Sequence, residues 1–157
     1  MASRHLLRVG WIGIGLMGLP MCSNILLHHQ QHHHPQLQEA ILDQAPLTLT
    51  VYSRTPSKAR PLIDLGATLV DSPLAVAQQS DVVFTMLTAA SDVREVVLGP
   101  SGVLSMLKPG SFIIDCISNE PGLAREIYYT VLSKGIYQEA LQYWRAQGMY
   151  EEILTAP

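Results

Sequence analysis

The chain has 157 residues, 48% of them apolar and 15% charged, which fits one folded domain with at most an appendage and excludes disorder by composition. The net charge is −3 with no basic block, so neither nucleic acid nor an anionic membrane is expected as the main partner. No run of 18 apolar residues is present to cross a membrane, and a strand pattern begins by Arg8, too early for a transit peptide; together these point to the cytoplasm.

In chain order, "RVGWIGI" is a short buried strand, and "LMGLPMCSNILL" then turns to helical spacing through Met17, Met21, Ile25 and Leu26. Residues 28–46, "HHQQHHHPQLQEAILDQAP", interrupt the rhythm where two to six residues usually suffice. They read as a solvated low-complexity loop; five histidines in seven residues can bind a metal adventitiously, but no acidic or cysteine ligand stands among them to make a fixed site. "LTLTVYS" is the second strand. "TPSKARPLIDLG" reads as a helix with Thr55 as N-cap, a kink at Pro61 and Gly66 past its end. "ATLV" is a short strand, and Ser72 caps the helix "SPLAVAQQS". "DVVFTML" is a strand buried on both faces, followed by a short helix in "SDVREVVLG" and a turn of helix in "GVLSML". "SFIIDC" is the fifth strand, and "EPGLAREIYYTVLSKG" a helix closed by Gly135. Apolar strands alternating with helices call for an α/β fold, a doubly wound parallel sheet of Rossmann type. Cys22 and Cys116 lack metal spacing and read as reduced, packed thiols rather than a bridge.

"GIGLMG" sets Gly13, Gly15 and Gly18 as GxGxxG between the first strand and the first helix, with Ile14, Leu16 and Met17 between them. Gly13 permits the tight turn, Gly15 lets a pyrophosphate approach the backbone, and Gly18 lets helix and strand pack closely. The helix N-terminus then offers N–H groups to the anion. A purely structural glycine turn is the alternative, and the strand before and helix after weigh against it. The second strand ends "VYSRTPSK" with no acid to hold ribose hydroxyls. Ser53, Arg54, Thr55 and Lys58 suit a 2′-phosphate instead, so NADP is expected ahead of NAD; surface charges at a helix start are the alternative.

These residues also carry a family resemblance. "VGWIGIGLMGLPMCSNIL" closely resembles the opening of the β-hydroxyacid dehydrogenases, the 3-hydroxyisobutyrate dehydrogenase and glyoxylate or succinic semialdehyde reductase family, to which the NADP-binding domain of 6-phosphogluconate dehydrogenase is related. That family opens GxGxMGxPMAxNL, and this chain departs only at Cys22 and Ile25. "VYSRTPSKA" is similar to the family's second-strand segment, whose NRT-type version goes with NADP, and the likeness runs from about Arg8 to Gly135. The resemblance implies that Gly15, Leu16 and Met17 lie against the pyrophosphate and that Leu87 and Thr88 lie near the nicotinamide side. It also implies that Ser118, in "DCISNEP", stands where a threonine touches the cofactor. Ile117 replaces a hydroxyl residue expected to bind substrate, which places the usual hydroxyacid substrate in question.

In the family, a DAPVSGG-like strand and a helical domain follow, the latter bringing a catalytic lysine in a K-x-x-x-N arrangement. Here only Lys58, Lys108 and Lys134 occur, none with asparagine four residues on, so no catalytic residue is assigned. "IYQEALQYWRAQGMYEEILTAP" has helical spacing at Ile136, Ala140, Leu141 and Trp144. The expected organisation is a nucleotide-binding domain over residues 1–135 and a divergent helical tail over 136–157, without the second domain and with the fifth strand as an uncovered edge. The leading reading is a truncated NADP(H)-binding module with little activity alone, acting on a small hydroxyacid or semialdehyde only if the missing domain is supplied. A working enzyme completed by another subunit is the second reading, and an interaction protein using the tail and the bare edge, in a homo-oligomer or with a partner chain, is the third.

Overall fold

The computed structural model describes residues 6–31, 46–117 and 120–140. Six strands form one all-parallel sheet: β1 (Leu7–Ile12), β2 (Leu47–Tyr52), β3 (Thr68–Leu69), β4 (Val82–Thr85), β5 (Phe112–Asp115) and β6 (Tyr137–Ala140). Their spatial order is β3-β2-β1-β4-β5-β6, two βαβαβ halves that run outward in opposite directions from the β1/β4 junction. Between them run α1 (Gly18–Gln31), α2 (Arg60–Asp64), α3 (Pro73–Gln78), α4 (Ala90–Val93) and α5 (Pro121–Ser133). The parallel sheet and its five sequence-predicted strands are as expected.

Each face of the sheet carries its own core. On one face Trp11 and Val51 of the strands pack with Cys22 of α1 and Leu62 of α2; on the other Val83 and Ile113 pack with Val76 of α3, Val93 of α4, and Ile127 and Val131 of α5. Strands covered on both faces cannot alternate apolar and polar residues, which is why "VVF" and "FII" read as continuous apolar runs. Trp11 and Phe84, opposite each other on β1 and β4, stack with ring centroids 5.2 Å apart. Gly10 faces the other way, and α3 packs on it so closely that a Cβ there would come within 2.5 Å of Val76 Cγ1 and Ser80 Oγ.

Three local expectations change. The segment from Pro56 is a 3₁₀ turn (Pro56–Ala59) followed by α2, with Pro61 in the first turn of the new helix rather than at a kink, and the Thr55 side chain makes no capping bond. Proline cannot donate to the preceding turn, so the α-helix starts over at that point. Ser72 does cap α3, its Oγ accepting from Ala75 N at 3.2 Å. Helix α1 continues through Gln31, into the stretch read as loop; residues 32–45 of the His-rich insert lie outside the described residues.

The third change concerns the tail. Residues 137–140 were expected to begin a helix, and they form β6, paired with β5 from Phe112↔Tyr137 to Asp115↔Ala140. Gly135, at φ +66°, turns the chain out of α5. Ile136 is then buried, Tyr137 N donates to Ser111 O at 2.9 Å, and Tyr137 stacks on Phe112 at 4.9 Å. Pairing with the open edge of β5 satisfies backbone groups that a helix starting there would leave facing that edge. The folded unit thus extends to Ala140, and β5 is not the sheet edge. Residues 141–157 lie outside the described residues.

Candidate functional site

Ile12, Tyr52, Thr85 and Asp115 stand in one row across the sheet, as the pairings Ile12↔Tyr52, Ile12↔Thr85 and Thr85↔Asp115 show. This row is the C-terminal edge of the strands. At the β1/β4 junction the chain leaves in opposite directions, and a crevice opens there by topology alone. A cavity of about 510 Å³ occupies it, within the roughly 300–1,000 Å³ of ligand sites generally.

The glycine turn forms its floor. Gly13, at φ +102°, donates its N–H to Tyr52 O at 3.3 Å, and a Cβ there would overlap the Met86 carbonyl oxygen. A Cβ on Gly18 would likewise overlap the Gly13 carbonyl oxygen, so α1 can begin this close to β1 only with hydrogen at that position. At Gly15 a Cβ would meet nothing within 4 Å; Gly15 lines the cavity, so its open side faces that space. Gly13 and Gly18 thus stand where a side chain would clash, and Gly15 where the backbone faces open cavity. One support was not foreseen: Trp11 Nε1 donates to Gly13 O at 3.0 Å, tying the turn to the buried indole.

Of the residues singled out in the sequence, Gly13, Ile14, Gly15, Ser53, Arg54, Thr55, Lys58, Leu87 and Thr88 all line this one cavity. Leu16 and Met17 are exposed beside it, and Gly18 lies behind Gly13 at the helix start. Ser118 lies outside the described residues. Buried Ser53 accepts from Thr55 N at 3.2 Å, shaping the turn that presents Arg54. Thr85 Oγ1 donates to Asp115 Oδ1 at 3.0 Å, and Ile117 N donates to the same oxygen at 3.4 Å, which fixes the start of the β5–α5 loop. Lys108 contributes to the field at Asp81, which precedes β4, and so sits at the opposite edge of the sheet from the crevice. Lys134 is the C-cap of α5, beside a Gly110 N to Gly135 O bond at that same far edge.

Sequence reasoning missed the acidic wall. Asp92, in the first turn of α4, and Glu95, just beyond it, line the cavity too. Asp92 meets Arg54 end-on, with NH1–Oδ1 at 3.3 Å and NH2–Oδ2 at 3.2 Å. The β2 end has no acid of its own, but α4 delivers one from 38 residues away. The signal lay in topology: the helix after β4 starts beside the turn that follows β1 and so looks into the same crevice as the β2 end.

A parallel sheet of this order, with a glycine turn leading into a long helix at its switch point, defines a dinucleotide-binding domain of the doubly wound class. The chain belongs to the family described as the NAD binding domain of 6-phosphogluconate dehydrogenase, whose profile matches residues 8–138. It is 46% identical over 121 residues to the probable 3-hydroxyisobutyrate dehydrogenase-like 1, mitochondrial, of Arabidopsis thaliana, covering 76% of this chain and 31% of that protein. It is 31% identical over 127 residues to the bovine (Bos taurus) mitochondrial 3-hydroxyisobutyrate dehydrogenase, covering 81% of this chain and 33% of that one. Among solved structures, the imine reductase from Myxococcus stipitatus in complex with NADP+ superposes with a TM-score of 0.65 at 26% identity, over 86% of this chain and 41% of that one. The chain spans about a third of the length of the curated relatives it matches and corresponds to the NAD(P)-binding domain of 3-hydroxyisobutyrate dehydrogenase-like oxidoreductases. No described helix is long and apolar enough to cross a membrane.

Proposed function

We propose that this domain binds NADP(H) in preference to NAD(H), as the cofactor half of an oxidoreductase for a small hydroxyacid or its carbonyl counterpart. The observation that carries the reading is the crevice itself, with an open floor at Gly15 and two cations, Arg54 and Lys58, at the β2 end. In this reading the Gly13–Gly15 backbone, Leu16, Met17 and the start of α1 take the pyrophosphate. Ser53, Arg54, Thr55 and Lys58 take the 2′-phosphate, by charge-assisted bonds of the kind Arg forms with phosphate. Leu87 and Thr88, on the segment after β4, border the nicotinamide, and Ser118 is assigned to the cofactor from its sequence position. The bound cofactor would supply hydride chemistry.

Among the described residues, the titratable groups lining the cavity are Tyr52, Arg54, Lys58, Asp92 and Glu95. Tyr52, Arg54, Lys58 and Asp92 are bound up with the β2 end or its ion pair, Glu95 stands on the acidic wall with Asp92, and Lys108 and Lys134 sit at the opposite edge. We therefore assign no general acid or base to this domain. Positioned acid–base groups contribute about 10²–10⁴-fold, so the domain on its own is expected to turn over slowly, and turnover would need sequence beyond this unit. The two cysteines, free and buried in the described residues, suit a reducing compartment, and we read the location as cytoplasmic. Fractionation of the tagged chain decides between that and the mitochondrial location that the plant and bovine relatives carry in their names.

The test is a titration with NADPH and NADH followed by intrinsic tryptophan fluorescence. NADPH should bind at least about tenfold more tightly, the order of one hydrogen bond to a charged group. Arg54→Asp should remove that preference and Gly15→Val should abolish binding. Equal affinity for the two nucleotides, unmoved by Arg54→Asp, would overturn the NADP assignment.

A further inference from the structure

Arg54 is not a free cation waiting for a phosphate. Its two terminal nitrogens both face the Asp92 carboxylate, at 3.3 and 3.2 Å, across the mouth of the crevice. The two residues come from opposite halves of the fold, the turn after β2 and the first turn of α4, and both line the cavity. The side chain of Arg54 is 72% exposed and that of Asp92 24%, so the arginine is the arm that can swing and the aspartate the post it rests on. With Lys58 and Glu95, the wall carries two cations and two anions, a formal sum of zero.

We propose that Asp92 is a built-in competitor for Arg54 that sets how strongly the domain prefers a 2′-phosphorylated nucleotide. The proposal rests on the dinucleotide reading above. A 2′-phosphate is the chemical group that distinguishes NADP(H) from NAD(H), and at neutral pH a phosphate monoester carries about −1.5 to −2 charges. To take it bidentately, Arg54 has to leave Asp92 or share its fork with it, and the aspartate left behind lies close to the incoming anion. An exposed pair of this kind is weak, so it can open in response to ligand; it still lowers NADPH affinity by the strength of the pair plus the like-charge repulsion that follows. NADH brings no charge to this end and is not penalised by the same carboxylate.

The experiment measures Kd for NADPH and NADH with the unmodified chain, Asp92→Asn and Glu95→Gln. It is repeated with the fragments 2′,5′-ADP and 5′-ADP, which report the 2′-phosphate alone. Asparagine keeps the shape of the side chain and removes its charge, and matching far-UV circular dichroism establishes that each variant is folded. Asp92→Asn should tighten NADPH and 2′,5′-ADP by roughly two- to fivefold, the scale of one exposed ion pair, and raise the NADPH:NADH preference by a similar factor. Added salt should shrink the difference. Glu95→Gln removes the same charge from the same wall; Glu95 makes no ion pair among the described residues, so its effect should be smaller. A preference unchanged or reduced in Asp92→Asn, with the unmodified chain still favouring NADPH, overturns the competition and leaves the NADP reading standing. Equal gains from Asp92→Asn and Glu95→Gln also overturn it, by reducing the effect to the general field of the wall. Failure of the unmodified chain to bind either nucleotide removes the dinucleotide reading and the competition with it.

Discussion

At the scale of single residues, the indole of Trp11 does two things at once. Its ring is buried against Phe84, and its N–H holds the Gly13 carbonyl at 3.0 Å. Gly13 is the hinge of the turn on which a pyrophosphate is expected to rest, so this bond orients the turn before any ligand arrives. Trp11→Phe keeps an aromatic ring against Phe84 and removes the donor together with part of the indole's buried volume. One such bond is worth about 0.5–1.5 kcal/mol net, so NADPH affinity should fall about two- to tenfold in a fluorescence-independent assay such as calorimetry. An unchanged Kd would mean that glycine geometry alone sets the turn. The need for glycine at positions 13 and 18 was legible in the sequence, because the positive φ at Gly13 and the close contact of Gly18 with the Gly13 carbonyl are local demands. The Trp11 bond and the Asp92–Arg54 pair were not, since each depends on which way a side chain points once the strands are aligned.

At the scale of elements, α3 shows how tightly the crossover between the two halves is packed. It rests on Gly10, and Ser80 is held in place by its own bond to Val76 O at 2.7 Å. With Val76 fully buried, neither neighbour can swing aside to admit a methyl group. Gly10→Ala should therefore cost about 1–3 kcal/mol as overpacking, read as a lower urea midpoint with an unchanged slope. The usual gain from replacing a strand glycine, about 0.5–1 kcal/mol, offsets only part of this; a midpoint that rises would show that α3 can move away. Strand existence and the Ser72 cap were readable from pattern and cap chemistry. Strand β6 was not, because four residues carry too short a period to compete with the helical spacing that continues through Leu141 and Trp144. What decides them is the open edge of β5, 25 residues earlier.

At the scale of the whole molecule, buried thiols and one ion pair set a pH limit at each end. Burial pushes the Cys22 thiol from 9.0 up to about 12. Cys116 rises to about 11, by burial first and then by the Asp115 carboxylate beside it. The unfolded chain loses these protons above about pH 9 while the folded chain keeps them, so stability should be fully present below pH 9 and fall as pH rises toward 11–12. At the acid end, Arg8 donates to Asp81 through both Nε, at 2.9 Å, and NH2, joining β1 to the start of β4. The hydrogen bonds from Arg8 hold the Asp81 carboxyl below its ordinary value. That contribution should be present above about pH 4 and be lost as pH falls through the lowered pKa. The pair is partly exposed, so the acid arm should be shallow. Urea midpoints from pH 3 to 11 check both arms, and a native chain that reacts readily with a thiol reagent at pH 8 would contradict the buried-thiol account.

The sequence by itself determined the class of sheet, the glycine turn and the cationic end of the second strand. Each of these rests on contacts between residues near one another in the chain, or on an apolar period that only double-sided burial can require. Only the tertiary structure decided that a sixth strand covers β5, that Trp11 braces Gly13, and that Asp92 sits on Arg54. These are contacts across 25, 2 and 38 positions. Even the short-range one depends on the direction β1 takes against its neighbours, because a side chain finds its partner only after the sheet has set where both of them stand.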